Sequence, residues 1–144
     1  MGLQGAYVHF AVRPDEAHRA FQSLRQTSIS GVNVTAPLKQ LAFDAADERT
    51  PDALKLGAAN CLYKRDGKLI AHNTDMEGFA APLLTTVGPK TVMNQPALVV
   101  GTGGAARAVL GALLAMGSPE IRICGRTNTS AEKLAAEIEV PSLY

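Results

Sequence analysis

The stretch Ala97-Leu-Val-Val-Gly-Thr-Gly-Gly-Ala-Ala106 decides the fold class of this chain. Four apolar residues typical of a buried strand lead directly into a Gly-x-Gly-x-x-Ala turn, and the helix-forming residues 105–116 follow. Gly101 permits the tight turn, Gly103 lets an anion approach the backbone, and Ala106 allows the helix to pack closely on the strand. Because free amides at a helix start can hold a phosphate, the turn predicts a nucleotide site. The alternative is a turn whose glycines serve geometry only.

The residues after this turn predict a second strand and helix. Ile121-Arg-Ile-Cys124 indicates a strand, and Thr129-x-x-Glu132 predicts a capping box that opens a helix through Ile138. Arg126 lies where a site for NAD would carry an acidic residue to accept hydrogen bonds from the ribose. Its guanidinium suits a 2′-phosphate, so this position favours NADP, whereas a solvated arginine at a helix start is the alternative.

The first two thirds of the chain read as alternating strands and helices that end in a linker. We predict strands over 5–12, 31–34, 59–64 and 68–72, helices over 17–24, 38–46, 50–57 and 75–87, and a linker over 88–96. Asp66-Gly67 predicts a hairpin between the third and fourth of these strands. The whole pattern is typical of an α/β protein with parallel sheet.

Composition excludes several classes of protein. The chain has 144 residues, of which 47% are hydrophobic, with a net charge of +1, so neither disorder nor a nucleic-acid-binding protein is favoured. Arg107 and four glycines within the apolar run 97–116 argue against a membrane span. The scattered His9, His18 and His72 predict no metal site. The N-terminus lacks a signal-peptide pattern and the cysteines are unpatterned, so we expect a cytoplasmic protein.

Three further motifs place short polar side chains at strand ends or helix starts, where functional groups gather in α/β proteins. They are Asn33-Val-Thr-Ala-Pro-Leu-Lys39, Gly57-Ala-Ala-Asn60 and Asn73-Thr-Asp75. Taken singly, each also fits an exposed lysine or a helix cap.

Taken together and in this order, the four motifs resemble the shikimate/quinate dehydrogenase family, and the resemblance runs from about Gly5 to Ile138. It implies a substrate-binding α/β domain over 1–88, followed over 89–144 by the first half of a Rossmann domain that binds NADP. The implied reaction is the reversible NADPH-dependent reduction of 3-dehydroshikimate to shikimate, a step of chorismate and aromatic amino acid biosynthesis. The implied partner is the small-molecule substrate, shikimate or 3-dehydroshikimate, and the implied oligomeric state is a monomer or homodimer.

The same resemblance implies roles for individual residues. Lys39 and Asp75 would be the catalytic pair, in which an amine beside a carboxylate holds the substrate hydroxyl and moves its proton. Thr35, Asn60 and Asp75 would bind the substrate. The cofactor-binding residues would be Gly101, Gly103, Gly104, Ala105, Arg126 and Thr127.

The chain departs from the family pattern at three positions and at both ends. Met76 replaces a glycine and would narrow the cleft or alter substrate choice. Gly125 replaces an asparagine, and Ser130 replaces a second arginine, which would weaken the phosphate site. Because two complete domains need about 250 residues, we expect an internal part of the enzyme that is poorly active alone and self-associates through unpaired strand edges. An inactive or binding-only homologue, or one with a different preference between quinate and shikimate, is the alternative.

Overall fold

Two β-sheets, each with its own hydrophobic core, organise residues 4–140, which are the residues that the computed structural model describes. The first sheet has the strand order β1-β3-β4-β2 and the second pairs β5 with β6. The strands are β1 (Gly31–Asn33), β2 (Glu48–Arg49), β3 (Cys61–Arg65), β4 (Lys68–His72), β5 (Ala97–Val100) and β6 (Ile121–Cys124). The helices are α1 (Ala17–Ser23), α2 (Lys39–Ala45), α3 (Pro51–Leu56), α4 (Asp75–Val87), α5 (Pro89–Asn94), α6 (Gly104–Ala115) and α7 (Asn128–Glu137).

The predicted hairpin is confirmed and fixes the register of the first sheet. Asp66 (φ 52°) and Gly67 (φ 77°) both have left-handed backbone, as a two-residue type I′ turn requires, and Cys61 pairs with His72. This register brings the residue before β3 beside the residues after β4, since the Asn60 amide donates to the His72 carbonyl at 3.1 Å.

The prediction of a parallel sheet is correct for the second sheet only. There, α6 crosses over between β5 and β6, which pair in parallel. In the first sheet β3 is antiparallel to both neighbours, and only β2 and β4 are parallel. For β3 and β4 the reason is the tight hairpin turn, which can join only antiparallel strands. With two residues, β2 was too short for the sequence pattern to predict.

The predicted strand over 5–12 is wrong, because none of the described residues 4–13 lies in a strand. A strand needs a neighbouring backbone to pair with, and this segment has no ladder to the described strands. Tyr7, Val8 and Phe10 are exposed. The segment 5–12 is linked to the first sheet by a side-chain hydrogen bond of 3.0 Å, which Asn33 Nδ2 donates to Tyr7 Oη.

The predicted linker over 88–96 is also wrong, because most of it forms α5. Gly88 (φ 80°) ends α4, Pro89 begins the next helix, and the buried Val92 packs into the core of the second sheet. Burial of one apolar side chain outweighs the turn-forming composition of this segment. Because Phe79 and Leu83 pack on the same core, α4 runs from the first sheet to the second.

The predicted helix starts are right in one place and wrong in another. Thr50 caps α3 by accepting from the Ala53 amide, and Gly57 (φ 58°) ends that helix as predicted. The predicted capping box at Thr129 is wrong. Thr127 caps α7 instead, accepting from the Ser130 amide at 3.3 Å, so the helix begins two residues earlier than its Thr-x-x-Glu pattern suggests.

Candidate active site

An ion pair between the first residues of two helices forms the centre of the candidate site. Lys39 begins α2 and Asp75 begins α4, and Lys39 Nζ lies 2.6 Å from Asp75 Oδ2. Their side chains are 17% and 25% exposed, so the pair is largely shielded but still open to a small molecule. A lysine and a carboxylate in this arrangement can hold a hydroxyl group between them and transfer its proton.

The local backbone explains why Lys39 points at Asp75. The Leu38 amide donates to the Thr35 carbonyl at 2.9 Å and closes a turn that contains the cis Ala36–Pro37 peptide bond. The Lys39 carbonyl accepts from the Ala59 amide at 2.9 Å, which anchors the start of α2 to the segment that enters β3. Thr35, predicted to bind substrate, lies exposed on this turn.

Asn60 holds the other side of the carboxylate. Its Nδ2 donates to Asp75 Oδ1 at 2.9 Å and to Thr74 Oγ1 at 2.9 Å, and its Oδ1 accepts from the Thr74 amide at 3.0 Å. Both amide hydrogens are therefore engaged within the protein. Asn60, predicted from the resemblance to bind substrate, orients Asp75 in this structure, so that each carboxylate oxygen receives one donor.

Asn73 is a residue of the candidate site that the sequence prediction left out. It is the one buried polar side chain among residues 4–140, at 2% exposure. Its Nδ2 donates to the Ala58 carbonyl at 2.9 Å, and its Oδ1 accepts from the Asp75 amide at 2.8 Å. It thus joins the segment before β3 to the first residue of α4. The available signal was an asparagine two residues before an acid at a helix start.

The dinucleotide-type turn lies between β5 and α6, as predicted. Gly101 has a φ of 122°, which favours glycine, and its amide donates to the Cys124 carbonyl at 2.7 Å. Gly103 precedes the first residue of α6, Gly104, and the buried Ala106 faces the second core. Gly103 and Ala105 are exposed at this helix start, where backbone amides have no partners within the helix.

Arg126 and Thr127, predicted to contact the cofactor, follow β6 on the adjacent loop and are exposed. The Thr127 hydroxyl is used for the cap of α7 and contacts Ser130 Oγ at 3.1 Å. Gly125 and Ser130, which both depart from the family pattern, lie close together. A Cβ at Gly125 would lie 2.9 Å from Ser130 Oγ and 2.9 Å from Thr102 Cγ2. Gly125 therefore lets the glycine turn and the start of α7 pack together.

The glycine turn and the ion pair are neighbours. A Cβ at Gly104 would lie 3.3 Å from Lys39 Cδ, which is tighter than most real contacts. The aliphatic part of the Lys39 side chain thus lies along Gly104, the first residue of α6. A helix that packs on the first sheet and a helix that packs on the second therefore meet at this point. Neither motif alone predicts this proximity.

Met76, expected to narrow the cleft, packs against α6, and its effect on the cleft stays a prediction. Its Sδ lies 3.2 Å from the position of a Cβ at Gly111, and Leu56 Cδ2 lies 2.8 Å from that position. Met76 thus packs into the gap that Gly111 leaves on α6. The cause is the close packing of α4 on α6, which turns the helix face carrying Met76 toward Gly111.

The geometry can be compared with known proteins. Residues 1–62 match the family model described as the shikimate dehydrogenase substrate binding domain. Shikimate dehydrogenase (NADP(+)) of Azorhizobium caulinodans is 42% identical over 135 residues, which are 94% of this chain and 48% of that protein. Over 94% of its length, the chain is similar to this shikimate dehydrogenase. The chain spans about half the length of the curated relatives that it matches.

Solved structures that are similar to this chain confirm its α/β fold. Shikimate 5-dehydrogenase of Thermus thermophilus, in complex with NADP(H) and shikimate, is 34% identical and has a TM-score of 0.83; the match covers 99% of this chain and 53% of that one. Ligand-free 5-ketofructose reductase of Gluconobacter is 34% identical with a TM-score of 0.73, over 91% of this chain and 46% of its own.

Within residues 4–140, the helices are all too short or too polar to cross a membrane. Cys61 and Cys124 are free thiols, and burial raises the pKa of the Cys61 thiol. Cys124 meets the glycine turn only through its backbone carbonyl, which accepts from the Gly101 amide.

Proposed function

We propose that this chain carries the proton-transfer site and the start of the cofactor site of an NADP-dependent shikimate dehydrogenase, with residues 1–88 as the substrate domain and 89–144 as the cofactor domain. The observation that carries the proposal is the contact of 2.6 Å between Lys39 and Asp75 beside Gly104 of the glycine turn. The named activity of the relatives supports it.

The chain's own residues suit the proton step of ketone reduction. A ketone that accepts a hydride gains negative charge on its oxygen, and Lys39 Nζ would donate a proton there. Asp75 would accept a hydrogen bond from a substrate hydroxyl and hold the ammonium group in place. In the reverse direction the pair would take the hydroxyl proton as the hydride leaves the carbon. Thr35 lies exposed on the turn that leads into α2 and would hydrogen-bond the ring hydroxyls of the substrate.

The residues present fit NADP. When bound, the nicotinamide group supplies or accepts the hydride. A Cβ at Gly103 would meet no heavy atom of the described residues within 4 Å, so the space before α6 is open to a pyrophosphate. Arg126 is exposed at the end of β6 and would pair with a 2′-phosphate. Gly101, Gly104, Ala105 and Thr127 complete the surface of the two loops.

Titration calorimetry of the chain with NADP and with shikimate, in separate experiments, tests the proposal. We expect both to bind. Asp75→Asn should weaken the binding of shikimate roughly tenfold or more, because the charge of one hydrogen-bonded group is lost. The affinity for NADP should not change, because Asp75 is not among the proposed cofactor-binding residues. Arg126→Leu should weaken NADP and leave NAD unchanged, with Arg122→Leu as the matched control on β6. If neither ligand binds, the chain is a homologue that has lost both binding sites, and the proposal is rejected.

The similarity to 5-ketofructose reductase supports a second candidate, a reductase for another polyhydroxylated ketone at the same ion pair. Titration with 5-ketofructose and with quinate beside shikimate separates the candidates by their relative affinities.

We also propose a cytoplasmic monomer or homodimer. The two free thiols suit a reducing compartment, and sedimentation at several protein concentrations tests the oligomeric state.

A further inference from the structure

One face of α6 lies against residues that belong to the first sheet and its helices. Gly104, Arg107 and Gly111 are spaced by three and four residues and therefore share this face. Gly104 approaches Lys39, the Arg107 guanidinium reaches the Leu56 carbonyl, and Gly111 approaches Leu56 and Met76. The helix that begins at the glycine turn thus runs directly along the residues that surround the ion pair.

Arg107 is the one charged residue of this otherwise apolar helix, and its side chain is only 15% exposed. One guanidinium nitrogen donates to the Leu56 carbonyl at 3.4 Å, and another forms an ion pair with Glu137 of α7. Leu56 ends α3, so its carbonyl is among those that lack a partner within the helix, and a cation is favourable there. Arg107 therefore links α3, α6 and α7 through one planar group.

The two ends of this link lead to the two halves of the candidate site. Leu56 and Gly57 directly precede the segment that carries Asn60, whose amide holds Asp75. Glu137 lies on α7, which begins after Arg126 and Thr127. A change in the position of Arg107 would therefore shift the ion pair relative to the glycine turn.

We propose that Arg107 is a positioning residue that fixes the distance between the Lys39–Asp75 pair and the glycine turn. Gly104 and Gly111 allow the close approach of α6, and the guanidinium holds it by two acceptors from different parts of the chain. The catalytic consequence rests on the proposed function, whereas the geometric role does not. An arginine is required because its planar fork presents donors to both acceptors at once, which a lysine cannot do.

Distance measurement between two spin labels tests the geometric role. One label is attached to the exposed Cys124 of β6 and the other to Asp44→Cys on α2, in a Cys61→Ser background. We expect Arg107→Met to widen the distance distribution and Arg107→Lys to widen it less, because lysine keeps one bond. The matched control is Arg122→Met, which removes only an exposed ion pair with Glu120 and should leave the distribution unchanged. An unchanged distribution in folded Arg107→Met would overturn the proposal. If circular dichroism finds that variant unfolded, Arg107→Lys decides by the same criterion.

Ligand titrations test the functional consequence. In the unaltered chain we expect NADP to raise the affinity for shikimate by at least about fivefold, as sites held in fixed geometry can do. Arg107→Met should abolish this coupling while the affinity for NADP alone changes less than about twofold, since Arg107 is not among the cofactor-binding residues. Equal coupling in both proteins would count against the functional role. If the unaltered chain binds neither ligand, the proposed function fails, and the spin-label distances still decide the positioning role.

Discussion

Lys39 Nζ and Asp75 Oδ2 lie 2.6 Å apart although 36 positions separate the two residues in the sequence. The contact exists because the β3–β4 hairpin returns the chain to the edge where α2 begins. Asn60 and Asn73, just before and just after that hairpin, then fix Asp75. Asn60 donates a hydrogen bond to Asp75 Oδ1, and Asn73 accepts one from the Asp75 backbone amide. The acid is thus held in place before any ligand arrives.

Replacement of Lys39 by methionine should weaken shikimate binding roughly 10- to 100-fold, because a hydrogen bond from a charged group is lost. Methionine preserves the unbranched stem that lies along Gly104, so the thermal unfolding midpoint should change little. Titration calorimetry measures the affinity, and Lys55→Met on the exposed face of α3 is the control. Equal affinities for the two variants would remove Lys39 from the binding site.

Replacement of Asn73 by alanine should lower the free energy of unfolding by about 1–3 kcal/mol, because it leaves the buried Ala58 carbonyl and the Asp75 amide without their partner. Urea denaturation followed by circular dichroism measures this difference. The exposed Asn94 at the end of α5 provides the control, and Asn94→Ala should change stability by less than about 0.5 kcal/mol. Similar small effects for both variants would contradict the bridging role of Asn73.

Two helical glycines should respond in opposite directions to alanine. Gly111→Ala should destabilise the chain by about 1–3 kcal/mol, because its methyl group would collide with Leu56 and Met76. Gly78→Ala on α4 meets no described heavy atom within 4 Å and should stabilise it by about 0.5–1 kcal/mol. Denaturation curves measure both. Adding Met76→Ala to Gly111→Ala should recover part of the loss, and a purely additive loss would argue against the contact.

Asp47 should give stability that depends on pH. The Arg25 guanidinium, at 2.8 Å, and the Leu69 amide, also at 2.8 Å, hold the pKa of this carboxyl below its usual range. Because the pKa is lower in the folded state, the stabilisation is complete above the ordinary pKa of an unfolded aspartate, about 3.9, and disappears as the pH falls through the lowered value.

The variant Asp47→Asn should therefore cost less than about 1 kcal/mol at neutral pH, because the pair is partly exposed, and nothing in strong acid. Unfolding midpoints in urea, measured from neutral to acid pH, follow this difference. Asp44→Asn, an exposed acid on α2, is the control. A difference between Asp47→Asn and the unaltered chain that grows as the pH falls would reverse the expected sign.

The sequence predicted those elements whose cause is local. Asp66-Gly67 determined the hairpin because few other residues adopt left-handed backbone at both turn positions. Thr50 and Gly57 determined the ends of α3 in the same way. Where tertiary packing competes with local preference, prediction failed. The burial of Val92 made a helix of the predicted linker, and residues 5–12 remained outside a sheet for want of a paired strand.

By itself, the sequence determined the α/β character of this chain, the glycine turn before α6 and the identity of the four motifs, because each depends on residues adjacent in the chain. Only the tertiary structure decided that Lys39 meets Asp75 beside Gly104, that Asn60 and Asn73 hold the carboxylate, and that Arg107 ties α6 to α3 and α7. These contacts join residues far apart in the chain, and their distances follow from strand register and helix packing, which no local pattern encodes.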